Sequence, residues 1–197
     1  MGDVTRKRRF EEVRKADEDE MSYYRLVLAR DLIKDYPDYS PAYIQYAIGL
    51  VEMARYEEAR SALEEAIKHC PENKLHIPYS QLGYLYEAKG EVEKAVEWFK
   101  KCIMLKPQDA DYHSNIGRIL AKQGKFKEAE ECYRIAIECP EGCVDEVYLN
   151  LGYVLRAQEM FTEALECFEK ALELDPEYKA AQLALKDVKT VISYLES

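Results

Sequence analysis

One arrangement of small and bulky residues recurs four times along the chain, and little else about the sequence limits its fold so sharply. Alanine stands at 59, 95, 129 and 164, at spacings of 36, 34 and 35 residues, each within a fixed set of neighbours. In the best copy these are Tyr79-x-x-Leu82-Gly83-x-x-Tyr86, then Ala95-x-x-x-Phe99, then Pro107. The other copies carry Tyr46-Ala47, Ala59, Leu63, Ala66 and Pro71; Ile116-Gly117, Ala129, Tyr133, Ala136 and an early Pro140; and Leu151-Gly152, Ala164, Phe168, Ala171 and Pro176. Glycine and alanine let two helices approach closely, the large residues fill the space beside them, and proline stops the second helix because it has no N–H to donate. Such recurrence calls for a stack of helical hairpins, each burying its apolar face against its neighbours.

The pattern resembles the tetratricopeptide repeat (TPR), a 34-residue helix–turn–helix unit. Of its signature W-x-x-L-G-x-x-Y…A-x-x-x-F…P, only the opening Trp is changed in the second copy, to Tyr79. The resemblance implies an all-α, right-handed superhelical solenoid. Four repeats are expected over residues 40–73, 76–109, 110–143 and 145–178, preceded by an N-terminal arm and a degenerate, partial repeat over 1–39. A capping helix is expected over 179–197, with Ala180, Ala181, Ala184, Val188, Val191, Ile192 and Leu195 along one side and Leu183 and Leu185 widening the apolar arc. Upstream of the repeats, Tyr24, Leu28, Leu32 and Tyr36 recur at helical spacing until Pro37, as in a second helix whose first helix has decayed. Residues 1–20 read as a weak helix or frayed arm, since the basic run Arg6-Lys7-Arg8-Arg9 gives way to Asp17-Glu18-Asp19-Glu20 with Phe10 and Val13 as the large apolar residues between the two runs.

Composition narrows the function. With 48% hydrophobic and 34% charged residues the chain can bury a core, and its net charge of −10 opposes nucleic acid as the main partner, because phosphate neutralisation needs cations. No apolar run approaches the roughly 20 residues of a membrane helix, and Phe10-Glu11-Glu12-Val13 stands where a signal peptide would need an apolar stretch. A cytoplasmic protein that touches neither membrane nor nucleic acid is therefore expected.

In each first helix, repeat positions 4, 7, 8 and 11 form one core stripe, so positions 2, 5, 6, 9, 12 and 13 face away from it. In TPR proteins this second face lines a concave groove that takes an extended peptide or a partner helix, and the resemblance implies the same use here. Position 6 is a carboxamide in every repeat: Gln45, Gln81, Asn115 and Asn150. An amide both donates and accepts, so a row of them suits a peptide backbone, and some long TPR superhelices use such a ladder. Position 9 holds Ile48, Tyr84, Arg118 and Tyr153, and positions 12 and 13 add Val51, Glu52, Glu87, Lys122 and Arg156. The expected groove is apolar and aromatic at its N-terminal end and cationic near the third and fourth repeats, fit for a peptide with an apolar anchor and an acidic group. The clamp with which chaperone-binding TPR domains hold a terminal carboxylate is not matched: repeats two to four offer Ser80, Tyr84, Asn115, Glu146 and Asn150, of which only Asn115 agrees.

Catalysis has no visible carrier. There is no Gly-rich phosphate loop, H-E-x-x-H or G-x-S-x-G, and no nucleophile–base pair. Cys139-Pro140-Glu141-Gly142-Cys143 gives one ligand pair at a zinc-like spacing but no second pair, so no metal or cofactor is expected; a repeat-end turn is the simpler reading. His113 stands where other repeats have Tyr43, Tyr79 and Tyr148, as a packing residue. The expectation is a non-catalytic adaptor or scaffold that holds another protein. The alternative is a structural subunit that self-assembles through its terminal helices, the last one above all.

Overall fold

The computed structural model describes residues 2–18 and 22–197. Among these the chain is all-α: α1 (Gly2–Glu18), α2 (Ser22–Asp35), α3 (Ser40–Glu52), α4 (Tyr56–Lys68), α5 (His76–Ala88), α6 (Val92–Leu105), α7 (Ala110–Lys122), α8 (Phe126–Ile137), α9 (Val144–Ala157), α10 (Phe161–Leu174) and α11 (Lys179–Leu195). A short 3₁₀ turn, Glu72–Lys74, precedes α5. The chain forms two compact units, Met1–Leu105 with α1–α6 and Lys106–Ser197 with α7–α11.

The hairpins share one turn. In each repeat the residue fifteen places in is left-handed: Ala54 (φ 57°), Gly90 (φ 81°), Gly124 (φ 75°) and Glu159 (φ 63°). The next N–H reaches back to a carbonyl five residues earlier, Arg55 to Leu50 (2.8 Å), Glu91 to Tyr86 (2.8 Å), Lys125 to Leu120 (3.0 Å) and Met160 to Leu155 (3.0 Å). This is the glycine-type helix ending that satisfies orphan carbonyls of the last turn. A buried hydroxyl adds to the first hairpin, where Ser40 Oγ donates to the Ala66 carbonyl at 2.8 Å.

Packing explains the small-and-large pattern. A Cβ placed on Gly83 would lie 2.7 Å from the Phe99 ring, on Gly117 3.1 Å from Tyr133, and on Gly152 2.4 Å from Phe168. Glycine is thus required where its partner is aromatic. In the first repeat Ala47 faces the smaller Leu63, both buried in one cluster. In the second unit a continuous cluster runs from Ala110 through Tyr133, Leu151 and Phe168 to Ala181, Ala184 and Val188 of α11.

The N-terminal segment is helical as well. Of the weak helix or frayed arm expected over residues 1–20, a helix forms: α1 is continuous over its described 17 residues, packs on α2 and also touches α3, so that α2 is preceded by a first helix that has not decayed. The repeat volume is kept by reversing the sizes: Val13 stands where the repeats have glycine or alanine, and Ala29 stands where they have Leu63, Phe99, Tyr133 and Phe168. Both are fully buried, in one cluster with Leu32 and Ala42. The basic run is spent locally, with Arg6 on Asp3 (2.5 Å), Lys7 on Asp3 (3.2 Å), Arg8 on Glu12 (3.6 Å) and Arg9 on Asp35. Arg6 also lies over the Tyr39 ring at 4.7 Å. Asp19 and Glu20 of the acidic run lie outside the described residues, as does Met21.

Candidate functional site: two equivalent pockets

Within the first unit, helices α3 and α5 flank a pocket of about 370 Å³ lined by Ala47, Ile48, Val51, Glu52, Leu63, Gln81, Tyr84 and Leu85. Within the second, α7 and α9 flank a pocket of about 250 Å³ lined by Arg118, Ala121, Lys122, Phe126, Tyr133, Asn150, Tyr153 and Val154. Seven of the eight residues in each lining occupy the same repeat positions, Ala47 and Phe126 being the exceptions. Ile48 corresponds to Arg118, Val51 to Ala121, Glu52 to Lys122, Leu63 to Tyr133, Gln81 to Asn150, Tyr84 to Tyr153, and Leu85 to Val154.

The tyrosines are set alike. Tyr84 meets Phe99 edge-on at 5.2 Å, and Tyr153 meets Phe168 edge-on at 5.5 Å. Such contacts fix a large, amphipathic ring at low entropic cost. Both rings stay partly open, 39% for Tyr84 and 36% for Tyr153.

The charges are not alike. Glu52 on the rim of the first pocket is engaged by Arg25 of α2 at 2.5 Å, and Arg25 is 1% exposed. Arg25 lies twelve residues before Pro37, the offset of Ala59 from Pro71 and of Ala95 from Pro107. An arginine has therefore taken a small-residue packing position and reaches the next hairpin. The first pocket is consequently apolar, with its single carboxylate held by a buried guanidinium. The second pocket carries two cations and no carboxylate in its lining. Arg118 donates to Asn115 Oδ1 at 3.0 Å. It also stands near enough to Tyr133 to favour the ionised phenol, an influence outweighed by burial, which pushes that phenol well above its ordinary range.

The ten sequence-derived groove residues are therefore sorted. Ile48, Gln81 and Tyr84 line the first pocket, and Arg118, Lys122, Asn150 and Tyr153 line the second. Gln45, Asn115 and Arg156 line neither. The buried Oε1 of Gln45 has no hydrogen-bond partner among the described residues, and Asn115 is only 8% exposed, with its oxygen turned to Arg118. Arg156 pairs with Asp187 of α11 and lies over the Tyr153 ring at 5.3 Å. Arg25 was missed from sequence because an arginine in place of the packing alanine hides the repeat it belongs to.

The cysteine pair forms a structured loop. Ala110 N donates to Glu141 O at 2.8 Å, Glu141 N to Gln108 O at 3.2 Å, and Cys143 N to Asp111 Oδ1 at 3.0 Å. Gly142 is left-handed at φ 104°. The charge of Asp111 raises the Cys143 thiol pKa, and burial raises that of Cys139. Burial likewise pushes Cys167 up to about 11. Thiols so disposed are poor nucleophiles at neutral pH. Among the described residues no group of His, Cys, Asp and Glu could hold a metal ion, and no helix is long and apolar enough to cross a membrane.

Family models place these hairpins. Residues 146–178 and 110–139 each match a model described as tetratricopeptide repeat, and residues 83–124 match one described as TPR repeat. This is a tetratricopeptide-repeat chain. An uncharacterized protein of Haemophilus influenzae is 24% identical to it over 99 residues, covering 50% of this chain and 54% of that protein. Human protein O-mannosyl-transferase TMTC2 is 31% identical over 90 residues, 44% of this chain and 10% of that protein. The TPR chain thus spans about half of the first relative and a tenth of the second.

Among solved structures, yeast Tom70 superposes with a TM-score of 0.76 at 21% identity, covering 86% of this chain and 36% of that one. YrrB, described as a TPR protein with an unusual peptide-binding site, gives 0.58 at 20% identity, covering 90% of both chains. TTC0263, a thermophilic TPR protein of Thermus thermophilus, gives 0.68 at 18%, covering 94% and 99%. Likeness at these identities shows the fold, an all-α helical solenoid.

Proposed function

We propose that this TPR chain is a non-catalytic adaptor that holds segments of another protein against its first-helix faces, with Tyr84 and Tyr153 as anchors. The observation that carries this reading is the pair of equivalent pockets. Each has an ordered, half-open tyrosine beside an amide, Gln81 in one unit and Asn150 in the other. Tyrosine is a frequent interface anchor, and an amide can pair with a passing peptide backbone. That YrrB is described as having a peptide-binding site lends the reading support by analogy only.

Site-specific photo-crosslinking tests it. A benzophenone amino acid at position 84 or 153 is expected to trap a protein partner in cell extract, whereas the same probe at exposed Leu183 is not. Equal trapping at all three positions, or trapping at Leu183 alone, overturns the assignment to these faces.

A second reading has one observation in its favour. On α11, Leu183 is 70% exposed, Tyr194 79% and Leu195 63%, an apolar surface through which copies of the chain could assemble. Sedimentation of a Leu183→Glu/Leu195→Glu variant separates the readings: loss of an oligomer supports self-assembly, and an unchanged monomer removes it.

A further inference from the structure

The chain holds a single tryptophan, and its place in the second hairpin shows what a further pocket of the first unit is shaped to hold. Trp98 of α6 packs against the core cluster built from α3, α4 and α5. Its ring lies 5.2 Å from that of Tyr79, tilted by 53°, and the Lys101 ammonium caps it at 3.6 Å. One hairpin earlier, Tyr43 stands at the repeat position of Tyr79, but the position of Trp98 is taken by Ala62. Above these two residues a pocket of about 450 Å³ opens on the side of the second helices α2 and α4. We infer that this pocket is a docking site for an aromatic side chain carried by another protein, tryptophan above all. The site goes beyond the adaptor reading and uses neither Tyr84 nor Tyr153.

Three observations carry this. First, the pocket is the place of Trp98 with the ring left out, and it stays open although Tyr46 is larger than Leu82, its counterpart in the second hairpin. Second, the surface that would meet a ring is already set. The Tyr43 hydroxyl donates to the Pro37 carbonyl at 2.9 Å and its ring stacks on His69 at 6.1 Å, so little freedom is lost when a ligand arrives. Ile33, Tyr46 and Ala62 complete an apolar lining beside it, and tilted or edge-on aromatic pairs gain beyond their buried area. Third, the carboxylates of the lining are held by cations of this chain: Glu57 by Lys89 and Arg60, Glu58 by Arg55, and Glu65 by Lys68. Selection is therefore assigned to the apolar floor and its rings, and not to the charges around them.

The test titrates the full chain with end-blocked pentapeptides Gly-Ser-X-Ser-Gly, in which X is tryptophan, leucine or glutamate, and follows the amide shifts by NMR. Saturable shifts at Tyr43, Tyr46 and Ala62 are expected with the tryptophan peptide. It should bind roughly threefold to tenfold more tightly than the leucine peptide, the range of an aromatic pair, and the glutamate peptide should not bind. Ala62→Trp builds into α4 the ring that α6 already carries. That variant should fold, melt about 2–4 °C higher, as expected of a filled cavity, and no longer bind. Tyr43→Leu keeps an apolar floor without its ring, so tryptophan should lose its advantage over leucine; circular dichroism checks that this variant is folded. Absence of shifts at these residues, equal binding of the tryptophan and leucine peptides, or binding that survives Ala62→Trp overturns the proposal. Unfolding of Ala62→Trp overturns it too, because the pocket would then not match the place of Trp98. Sedimentation tests the other occupant: a dimer that Ala62→Trp dissolves would mean that a second copy fills the pocket, and would overturn its assignment to another protein. Each of these failures leaves the adaptor reading to be judged by crosslinking at positions 84 and 153.

Discussion

The first and second units pose the same structural problem and answer it with different surfaces. Both set a tyrosine on a phenylalanine, Tyr84 on Phe99 and Tyr153 on Phe168. Both place an amide opposite position 9 of the preceding repeat. Below these lie the fully buried Leu63 and the nearly buried Tyr133. The charge difference between the linings lies at positions 9 and 13. Ile48 and Glu52 leave one pocket apolar, and Arg118 and Lys122 make the other cationic. The same hairpin frame therefore carries linings of different charge in the two units.

If the two frames are equivalent, removing the shared ring should cost the same in each. Phe99→Ala and Phe168→Ala are expected to destabilise by about 4 kcal/mol apiece, since both rings are fully buried. Urea unfolding measures this, and a silent substitution in either unit would break the equivalence.

Position 13 should separate the units next. Glu52→Ala removes the carboxylate that stands 2.5 Å from the buried Arg25 guanidinium, and loss of a charge-assisted hydrogen bond of this kind is expected to cost about 2 kcal/mol. Lys122 is exposed, and Lys122→Ala is expected to change stability by no more than about 0.5 kcal/mol. Thermal melts of the two variants sharpen the comparison, because the same repeat position would be structural in one unit and open to variation in the other.

Glycine substitutions grade the hairpins by the contact each would make. Gly152→Ala drives a methyl to within 2.4 Å of Phe168 and Gly83→Ala to within 2.7 Å of Phe99. Overpacking of this kind is expected to cost about 1–3 kcal/mol, with Gly152 the worse. Gly117→Ala meets Tyr133 at 3.1 Å, and its gain of roughly 1 kcal/mol in helix propensity should nearly offset the crowding. A reversed order in denaturant midpoints would count against the packing account.

The same reciprocity explains how much was legible in the sequence. Where glycine faced an aromatic and alanine stood between them, as in Gly83, Ala95 and Phe99, the hairpin could be read residue by residue. The first hairpin hid because Val13 and Ala29 exchange the usual sizes and Arg25 fills the alanine place; a summed volume is kept, but no residue-type pattern records it. For the site, Tyr84, Tyr153, Gln81 and Asn150 could be placed on the outward face by periodicity alone. The Arg156–Asp187 pair could not, since Asp187 comes from a helix 31 residues away whose orientation depends on packing. The amide row was likewise only half informative: all four residues share a position, yet burial turns Asn115 inward, and Gln45 lies in neither pocket.

The smallest effect tests the turn that both units share. Gly90 and Gly124 adopt the left-handed conformation freely, whereas Ala54 (φ 57°) and Glu159 (φ 63°) hold it with a side chain. A left-handed L-residue costs roughly 1–2 kcal/mol, and glycine returns part of that gain through the greater freedom of its unfolded chain. Ala54→Gly and Glu159→Gly should therefore each stabilise the protein by about 0.5 kcal/mol. Gly90→Ala and Gly124→Ala should destabilise by a similar amount despite having no atom within 4 Å of the added methyl. Because Ala54 lies in the first unit and Glu159 in the second, equal gains would mean that one backbone geometry, independent of its neighbours, closes the hairpins of both. A gain at only one would mean that the other turn is held by contacts its own unit supplies.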